Sequence, residues 1–381
     1  MMSETIMIVA GETSGELYGA LLAAALKKRM PRIRIIGVGG ERMQQAGVEI
    51  ISWIAGAFGL AEAISSVWTI KKTFNKAVMA LKIYKPDVLV LIDYPDFNLK
   101  LALQARKNHV KVLYYVSPQV WAWRKKRTAK IAGLVDKMAV VLPFEEEIYK
   151  TVGIPCEFVG HPVHDEIKDL LSKKDVLKSE LGLDKGRPLL SLLPGSRPHE
   201  LQRLLPLMLA VVREFKKEYA QYQFCIPFAP NTDMEKYRPI LRLLREEGVA
   251  INKGESLRTL AASEVAVIAS GTATLQAALL GVPLVVVYRL FPLTYWIGKL
   301  IVKVKHVSLI NILSGGAVVK ELLQSEATTQ NIVAELGKIL SIESYKKTMT
   351  DSYAKIRDMY SAKNASERVA DIVEEMAGWK K

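Results

Sequence analysis

Val88-Leu89-Val90-Leu91-Ile92-Asp93-Tyr94-Pro95-Asp96-Phe97-Asn98 is the segment that decides the fold. Its first five residues are apolar and favour β-structure, a pattern typical of a parallel strand buried on both faces. Two carboxylates, a proline and an asparagine follow directly. Because open α/β sheets bind ligands at the carboxyl ends of their strands, we expect these polar groups at a ligand site. From the residues alone, Asp93 and Asp96 could bind a ribose, hold a metal, accept a proton or cap the next helix.

Length and charge narrow the class of protein. A chain of 381 residues exceeds what one hydrophobic core usually serves, so we expect two domains. The 53 Lys and Arg against 39 Asp and Glu give a formal net charge of +14. This balance favours an anionic partner: nucleic acid, an acidic lipid surface or a phosphorylated ligand. The chain shows no nucleic-acid-binding motif, so we do not expect nucleic acid as the partner.

The cysteines and the apolar segments favour a cytosolic protein without a membrane span. Cys156 and Cys225 lie far apart in predicted strands, which argues against a disulfide framework. The apolar run at 6–10 is too short for a signal peptide. Residues 265–288 carry no charge over a length that would cross a bilayer. Glycines, a proline and hydroxyl side chains nevertheless divide this run into strand, loop, helix, turn and strand.

The first half of the chain predicts a sheet of six strands. After the strand at 6–10 comes Gly11-Glu12-Thr13-Ser14-Gly15-Glu16-Leu17-Tyr18-Gly19, in which Ser14 is the predicted helix N-cap with free backbone N–H groups nearby. The glycines match neither a dinucleotide motif nor a P-loop. The segment therefore either contacts a ligand or merely begins a helix. The other predicted strands are 33–38, 88–92, 111–116, 137–142 and 156–159.

Two apolar segments with neighbouring lysines, at 60–70 and 289–305, are candidates for contact with a membrane surface. Apolar residues with an aromatic ring and lysines beside them suit a membrane interface. A helix packed against a sheet shows the same apolar face, so both interpretations stay open at this point. The residues singled out for membrane contact are Val67, Trp68, Phe291, Trp296, Lys299 and Lys303.

Two tryptophans follow the predicted strand at 111–116, in Ser117-Pro118-Gln119-Val120-Trp121-Ala122-Trp123-Arg124-Lys125-Lys126-Arg127. At the carboxyl end of a strand they add an apolar wall and an indole N–H donor to whatever binds there. The basic run after them either pairs with phosphate or forms a solvated helix face.

A turn and a charged stretch separate the two halves. His161 and His164 lack a third metal ligand at suitable spacing, so we interpret 160–165 as a turn that closes the first domain. Residues 168–187 are rich in charge and are the predicted connection between the domains.

The second half begins with a predicted strand at 189–193, then Pro194-Gly195-Ser196-Arg197 and a helix. This combination suits a pyrophosphate, because Gly195 allows close approach, free N–H groups donate and Arg197 supplies a planar fork. Ser270-Gly271-Thr272 again precedes a helix and is a second candidate anion site. Further strands are predicted at 223–228, 249–252, 265–269 and 284–288, and an amphipathic helix at 344–378.

Seven segments carry a family resemblance: Ser14-Gly15-Glu16, Asp93-Tyr94-Pro95-Asp96-Phe97-Asn98, Ser117-Pro118-Gln119-Val120-Trp121-Ala122-Trp123-Arg124, Gly160-His161-Pro162, Leu193-Pro194-Gly195-Ser196-Arg197, Ser270-Gly271-Thr272-Ala273-Thr274-Leu275 and Lys320-Glu321-Leu322-Leu323-Gln324. In this order they resemble the lipid-A-disaccharide synthase family of GT-B glycosyltransferases. The resemblance implies two doubly wound, Rossmann-like α/β domains that face a central cleft. Residues 1–165, completed by a C-terminal helix at 344–381, would form the acceptor and membrane-facing domain, and 187–343 the UDP-sugar donor domain.

The resemblance also implies a reaction. A 2,3-diacylglucosamine unit would pass from its UDP donor to 2,3-diacylglucosamine 1-phosphate, forming a β-1,6 disaccharide 1-phosphate and releasing UDP. The family acts in outer-membrane lipid biosynthesis of Gram-negative bacteria, at the cytoplasmic face of the inner membrane. We therefore expect a peripheral protein that contacts anionic phospholipids. No cofactor is expected and no metal, since Asp93 and Asp96 do not form a D-x-D pair; a homodimer is left open.

Roles for individual residues follow from the same resemblance. Inversion at a sugar carbon needs a base and groups that stabilise the departing diphosphate. Asp96 is the implied base, and Asp93 would orient its loop. The implied acceptor contacts are Ser14, Gly15, Glu16, Glu62, Asn98, Trp121 and Arg124. The implied donor contacts are Gly195, Ser196, Arg197, Ser270, Gly271, Thr272, Gln276, Asn311 and Gln324.

The chain departs from the family pattern at three places. Glu16 and Tyr18 stand where the family usually has Asp and His. Gln276 stands where a glutamate suits the donor ribose, so the charge-assisted strength of that contact is lost. Gly315-Gly316-Ala317 lacks the usual Arg-Glu pair. The alternatives are another GT-B enzyme on a UDP-sugar, either a different transferase or a 2-epimerase, and a non-catalytic peripheral lipid-binding protein.

Overall fold

The computed structural model describes residues 4–53, 63–123, 127–167, 170, 173–230, 232–289, 305–361 and 363–379. The chain divides into two compact units. The first unit comprises Met1–Asp165 and Ala362–Lys381, and the second comprises Glu166–Ser361. Each unit is built on one parallel sheet with its own helices, as the α/β prediction requires.

Strands and helices alternate along the chain, the order that builds parallel sheets. The strands are β1 Thr5–Ala10, β2 Arg34–Gly39, β3 Glu49–Trp53, β4 Val88–Ile92, β5 Lys111–Tyr115, β6 Lys137–Val140, β7 Cys156–Phe158, β8 Leu189–Leu193, β9 Gln223–Phe228, β10 Val249–Lys253, β11 Val265–Ala269, β12 Leu284–Tyr288 and β13 Glu321–Leu323.

The helices lie between these strands and after them. They are α1 Thr13–Arg29, α2 Glu41–Gln45, α3 Ala63–Tyr84, α4 Pro95–Lys107, α5 Val120–Trp123, α6 Arg127–Ala132, α7 Glu145–Lys150, α8 Pro162–Ile167, α9 Lys174–Glu180, α10 Pro198–Phe215, α11 Arg238–Glu246, α12 Ser256–Ala261, α13 Thr272–Leu280, α14 Leu309–Ser314, α15 Thr329–Ser341, α16 Glu343–Ser361 and α17 Ala365–Ala377. Short 3₁₀ turns form at Met234–Tyr237 and Gln324–Glu326.

The sheet of the first unit has, in the described residues, the strand order β3-β2-β1-β4-β5-β6-β7. β4 pairs in parallel with β1 on one side and β5 on the other, with Val90 opposite Ile8 and Leu113. Every residue of β1 and β4 is buried, so the predicted central strand is confirmed. The sequence does not predict β3, because this edge strand is half-buried or exposed throughout and lacks the apolar run of the inner strands.

The sheet of the second unit has the order β10-β9-β8-β11-β12-β13 over the part of the chain that the structure describes. The uncharged run at 265–288 forms β11, α13 and β12, which confirms its expected division. β13 is too short for a periodic pattern and is not predicted. Among the residues described, no helix is both long and apolar enough to cross a membrane.

Each sheet contains one point, within the described strands, where the strand order reverses. β1 pairs with β2 on one side and β4 on the other, and β8 lies in the same way between β9 and β11. At such a switch point the connections leave in opposite directions and open a crevice at the carboxyl ends of the strands. The loops after β1 and β4, and those after β8 and β11, are therefore where binding sites are expected.

The last helix of the chain completes the first unit. α17 packs on α1, where Arg29 binds Glu367 and Asp371. Arg368 of α17 binds Glu157 of β7 in a bidentate pair at 2.5 and 2.9 Å. The segment at 344–381, expected as one helix, is thus two helices: α16 belongs to the second unit and α17 to the first.

Replacing Arg368 with Met should destabilise the protein by about 1 kcal/mol at pH 7, because a partly exposed, charge-assisted pair is lost. Arg368 lowers the pKa of Glu157 from its ordinary 4.5. The pair therefore stabilises the fold fully above about pH 4.5, and this stabilisation is lost as the pH falls through the lower pKa of the folded state.

Urea denaturation of wild type and variant between pH 7 and pH 3 measures this difference. Arg242→Met is the matched control, since it removes an exposed pair with Glu246 on α11 and should cost less than about 0.5 kcal/mol. A difference between Arg368→Met and wild type that stays constant down to pH 3 would contradict the assignment to Glu157.

Candidate active site

The turn after β4 holds two successive residues in a left-handed backbone conformation. Asp93 has a φ of 46° and Tyr94 one of 47°, which costs about 1–2 kcal/mol for each residue that is not glycine. Asn98 Nδ2 donates to the carbonyl oxygens of Ile92 and Asp93 at 3.1 and 2.7 Å. The Tyr114 hydroxyl donates to the Asp93 oxygen at 2.6 Å. Asn98 is fully buried, so its side chain holds the turn and is not exposed to solvent.

The Tyr94 ring lies over Gly11, in the loop after β1. A Cβ built on Gly11 would come within 2.1–2.6 Å of three atoms of the Tyr94 side chain. Tyr94 also stacks on Phe97 with ring centroids 5.3 Å apart, and Phe97 meets Phe74 of α3 edge to face at 5.5 Å. This packing holds the turn against both the β1 loop and α3.

Asp96 lies in the first turn of α4 with its carboxylate 77% exposed, and its Oδ1 is 2.6 Å from Nη2 of Arg127. Burial raises the pKa of Tyr94, and the charges of Glu12 and Asp96 raise it further. The two loops of the switch point therefore bring two carboxylates near one phenol. Neither Glu12 nor Arg127 was predicted from the sequence as a site residue. A carboxylate just past a strand end, the signal that singled out Asp93, would have found Glu12.

The start of α1 differs from the prediction. The helix begins one residue before Ser14, and Glu12 occupies the N-cap position. The N-cap assignment of Ser14 is wrong because helical hydrogen bonding already starts at Glu12, whose carbonyl oxygen accepts the Glu16 N–H at 2.8 Å. The Glu16 carboxylate accepts the Arg42 N–H at 2.9 Å and caps α2. Of the predicted acceptor contacts here, Ser14 is half-buried and Gly15 is buried.

The segment after β5 is anchored by buried polar pairs. Val116 is left-handed with a φ of 61°, and Ser117 Oγ lies 2.6 Å from the Tyr149 hydroxyl. Trp121 Nε1 donates to Glu145 Oε1 at 3.1 Å. Burial raises the pKa of Glu145 to about 8, against the opposing effect of its hydrogen bonds. The Trp121 indole N–H therefore donates to a buried acid that was not predicted from the sequence.

His161, just before α8, and His164, within α8, are both buried. His161 Nδ1 accepts the Val163 N–H at 3.2 Å, and its ring meets Tyr18 edge to face at 5.7 Å. Burial lowers the pKa of His161 to about 3, so the ring is neutral at physiological pH. Searching the described residues, we find no group of three His, Cys, Asp or Glu side chains that could hold a metal.

The loop after β8 is folded around a carboxylate of its own. Glu200 Oε2 accepts the N–H groups of Ser196 and Arg197, each at 3.1 Å. Gly195 has a φ of 95°, and a Cβ there would lie 2.2 Å from Glu200 Oε2. The backbone N–H groups expected to be free for a pyrophosphate are thus occupied. Glu200 could have been predicted from the sequence, because it occupies the third position of α10, which is the spacing of a capping box.

The Arg197 side chain stays accessible beside this loop. It is 49% exposed, and its Nη1 is 3.8 Å from Glu200 Oε1. Tyr288, at the end of β12, interacts with both side chains: burial raises the pKa of Tyr288, Glu200 raises it further and Arg197 lowers it. These three groups form a cluster at the carboxyl edge of the second sheet.

The start of α13 has no side-chain cap in the described part of the chain. Gly271 precedes the helix in an extended conformation, and a Cβ built there would meet none of the described atoms within 4 Å. Ser270 Oγ instead donates to the Val307 carbonyl oxygen at 3.0 Å. The N–H groups from Thr272 onward are therefore better candidates for an anion than those of the loop after β8. Gln276 is half-buried one turn further along α13.

Two further predicted donor contacts lie near β13. Asn311 is buried; its Nδ2 donates to the Val319 oxygen and to Glu321, and its Oδ1 accepts the N–H groups of Val318 and Val319. Its amide therefore holds the loop before β13. Gln324 directly follows β13 with a φ of 52°, at the same sheet edge as the loops after β8 and β11.

Several predicted contacts lie outside the described residues: Glu62, Arg124, Phe291, Trp296, Lys299 and Lys303. Val67 lies in α3, whose side chains are described from Trp68 onward. Trp68 is 70% exposed. Lys71 Nζ lies 5.6 Å from the Trp68 ring centroid in a cation–π contact.

Comparison with known proteins gives a family match over almost the whole chain. A family model described as lipid-A-disaccharide synthetase matches residues 6–374. The lipid-A-disaccharide synthase of Syntrophus aciditrophicus (strain SB) is 41% identical over 374 residues, which is 97% of each chain. That of Geobacter sulfurreducens is 39% identical over 378 residues, 99% of this chain and 98% of the relative. That of Coxiella burnetii (strain Dugway 5J108-111) is 38% identical over 375 residues, 98% of each.

Solved structures share the two-unit α/β architecture. The TM-score is 0.71 to the UDP-GlcNAc 2-epimerase of Neisseria meningitidis, at 14% identity over 97% of this chain and 100% of that chain. It is 0.60 to the calicheamicin glycosyltransferase CalG4, at 14% identity over 99% of each chain. At such identities these neighbours show the fold alone, which is of the GT-B type. With a model match over 6–374 and relatives 38–41% identical along their length, the chain belongs to the lipid-A-disaccharide synthase family.

Proposed function

We propose that this protein is an inverting hexosyltransferase that joins UDP-2,3-diacylglucosamine to 2,3-diacylglucosamine 1-phosphate. The products are UDP and the β-1,6-linked disaccharide 1-phosphate. The observation that carries the proposal is the exposed Asp96 carboxylate at the switch point of the first unit. Family membership over residues 6–374 supports the reaction class.

Asp96 is the proposed general base. The 6-hydroxyl oxygen of the acceptor attacks the anomeric carbon of the donor while its proton passes to Asp96. The bond from that carbon to the diphosphate breaks, and its electron pair leaves with UDP. Arg127, 2.6 Å from Oδ1 of Asp96, orients the carboxylate through a charge-assisted hydrogen bond. In this proposal Oδ2 receives the proton.

The second unit is the proposed donor side. Arg197 supplies a guanidinium to the diphosphate, and the start of α13, with Gly271 and Thr272, supplies backbone N–H groups. Gln276 is proposed to accept a hydrogen bond from the ribose through its amide oxygen. An amide lacks the charge of the usual glutamate, so this contact is weaker than in relatives that carry the acid.

The exposed face of α3 supports a peripheral location at the cytoplasmic face of the inner membrane. Trp68, Met79 and Ile83 are exposed, and so are Lys72 and Lys76. At 3.6 residues per turn these five positions lie within about 80° of one another around the helix. Apolar side chains with lysines among them suit an anionic lipid surface, as does the net charge of +14.

Replacing Asp96 with Asn should lower turnover by about 10²–10⁴-fold, because the amide cannot accept the proton of the attacking hydroxyl. Both lipid substrates are supplied, and the disaccharide 1-phosphate and UDP are quantified by mass spectrometry. Asp351→Asn is the matched control: this carboxylate is also exposed and paired with a cation, Lys347, and its loss should leave turnover unchanged.

The same assay separates the alternatives. A wild type that forms no disaccharide and releases no more UDP than Asp96→Asn would overturn the enzyme proposal in favour of lipid binding. Conversion of the UDP-sugar without consumption of the acceptor would instead indicate an epimerase.

Replacing Gly11 with Ala should lower turnover about tenfold or more, because the new Cβ would displace the Tyr94 ring and with it the turn that carries Asp96. Gly133→Ala is the control, since the nearest atom to its Cβ is 3.7 Å away. Adding Tyr94→Ala to the Gly11 variant should restore part of the activity. Equal activity of wild type and Gly11→Ala would show that the contact does not position the base.

Replacing both Trp68 and Met79 with Ser should weaken binding to vesicles that contain anionic phospholipid by at least about tenfold, because exposed apolar surface that enters the interface is removed. Cosedimentation measures the binding. The control replaces Leu243 and Met359, exposed apolar residues of the second unit, with Ser. Equal binding of the two double variants would exclude α3 as the contact.

A further inference from the structure

We propose that Glu200 is a positioning residue of the donor site: its carboxylate keeps the Gly195–Arg197 loop folded so that the Arg197 side chain, and not the loop backbone, binds the diphosphate. This inference rests on the proposed function. It replaces the expectation that the N–H groups of the loop cradle the pyrophosphate. It also assigns a role to a buried acid that the proposed reaction does not otherwise use.

The first observation is that Glu200 already accepts hydrogen bonds from backbone N–H groups of the loop. Its Oε2 accepts the N–H groups of Ser196 and Arg197 at 3.1 Å each, and the residue is 5% exposed. Glu200 sits in the first turn of α10, so its backbone is held by the helix. The carboxylate cannot leave the loop without uncapping α10 and breaking its hydrogen bonds to both N–H groups.

The second observation is the shape of the loop around the carboxylate. A Cβ on Gly195 would lie 2.2 Å from Glu200 Oε2 and 2.8 Å from its Cδ, and the φ of 95° at Gly195 favours glycine. The chain therefore wraps closely around Glu200. A phosphate placed on the same N–H groups would have to displace a buried negative charge or sit against it.

The third observation is what remains available to a ligand. The Arg197 side chain is half-exposed, with Nη1 3.8 Å from Glu200 Oε1. A guanidinium has five N–H donors in a planar fork, and about half of the Arg197 side chain is exposed, so a diphosphate can approach it from solvent. Tyr288 interacts with both Arg197 and Glu200 and adds a third group to the cluster. Glu200 thus holds Arg197 at two points: the backbone N–H of Arg197 and the guanidinium of Arg197.

The test measures UDP binding by calorimetry, together with kcat and the KM for each substrate. Glu200→Ala should raise the Kd for UDP and the KM for the donor at least about tenfold, because a charge-assisted anchor is lost. The KM for the acceptor should not change. Glu200→Gln keeps the shape and an acceptor oxygen, so it should show a smaller loss and remain informative if the Ala variant fails to fold. Uridine, which lacks the diphosphate, should bind all variants equally.

A double-mutant cycle with Arg197→Ala separates positioning from mere stability. If Glu200 acts through Arg197, Glu200→Gln should have little further effect on the Kd for UDP in the Arg197→Ala background. The matched control is Glu335→Gln, which removes another buried carboxylate of the second unit, hydrogen-bonded to Tyr345, and should leave UDP binding unchanged.

Three outcomes would overturn the inference. Unchanged UDP binding in both Glu200 variants would show that the loop does not position Arg197. Tighter UDP binding by Glu200→Gln would show that the diphosphate displaces Glu200 from the loop N–H groups. If either outcome is found while the wild type still forms disaccharide, the proposed function stands and this inference fails. A wild type that binds no UDP removes both.

Discussion

Parallel pairing of β1 with β4, and of β8 with β11, is the constraint on which the rest of each unit depends. A parallel pair needs a crossover connection, so every strand leaves its sheet at the same edge. The strand order reverses at these two pairs, which places two loops side by side in each unit. The turn after β4 leads into the first turn of α4, which carries Asp96, and the loops after β8 and β11 lead to Arg197 and to the start of α13. The proposed chemistry follows from where the strands end.

Loops at these edges contain backbone N–H and C=O groups that must be paired once they are buried. The protein pairs some of them with its own side chains: Asn98 supports the strained turn after β4, and Glu200 supports the loop after β8. Each of these residue types would also suit a ligand. The side chains of Asp96 and Arg197 stay exposed beside them and are the ones that we propose to contact substrate.

The division between side chains that pair with the protein's own backbone and side chains that stay exposed explains how much of the fold and of the site could be predicted from the sequence. Apolar runs such as that of β4 predicted the inner strands and the edge at which Asp96 lies, because burial on both faces leaves a clear pattern. The edge strand β3 was not predicted because its residues are half-buried or exposed and lack the apolar run of the inner strands. Asn98 and Asn311 were expected at substrates, whereas the structure shows them bonded to backbone groups, and Asn311 also to Glu321, which only the folded chain brings near. Residue type and spacing indicate what a side chain can bond, whereas its direction decides what it does bond.

The packing of α17 on α1 has a consequence for biosynthesis. The second unit is continuous in the chain, whereas the first unit joins Met1–Asp165 to Ala362–Lys381. During synthesis the ribosome therefore releases all of the second unit before it releases the helix that completes the first. Until then Arg29 lacks its carboxylate partners on α17, and the face of α1 that α17 covers is open to solvent. Although it begins the chain, the first unit reaches its final packing last, and chaperones have the longest access to it.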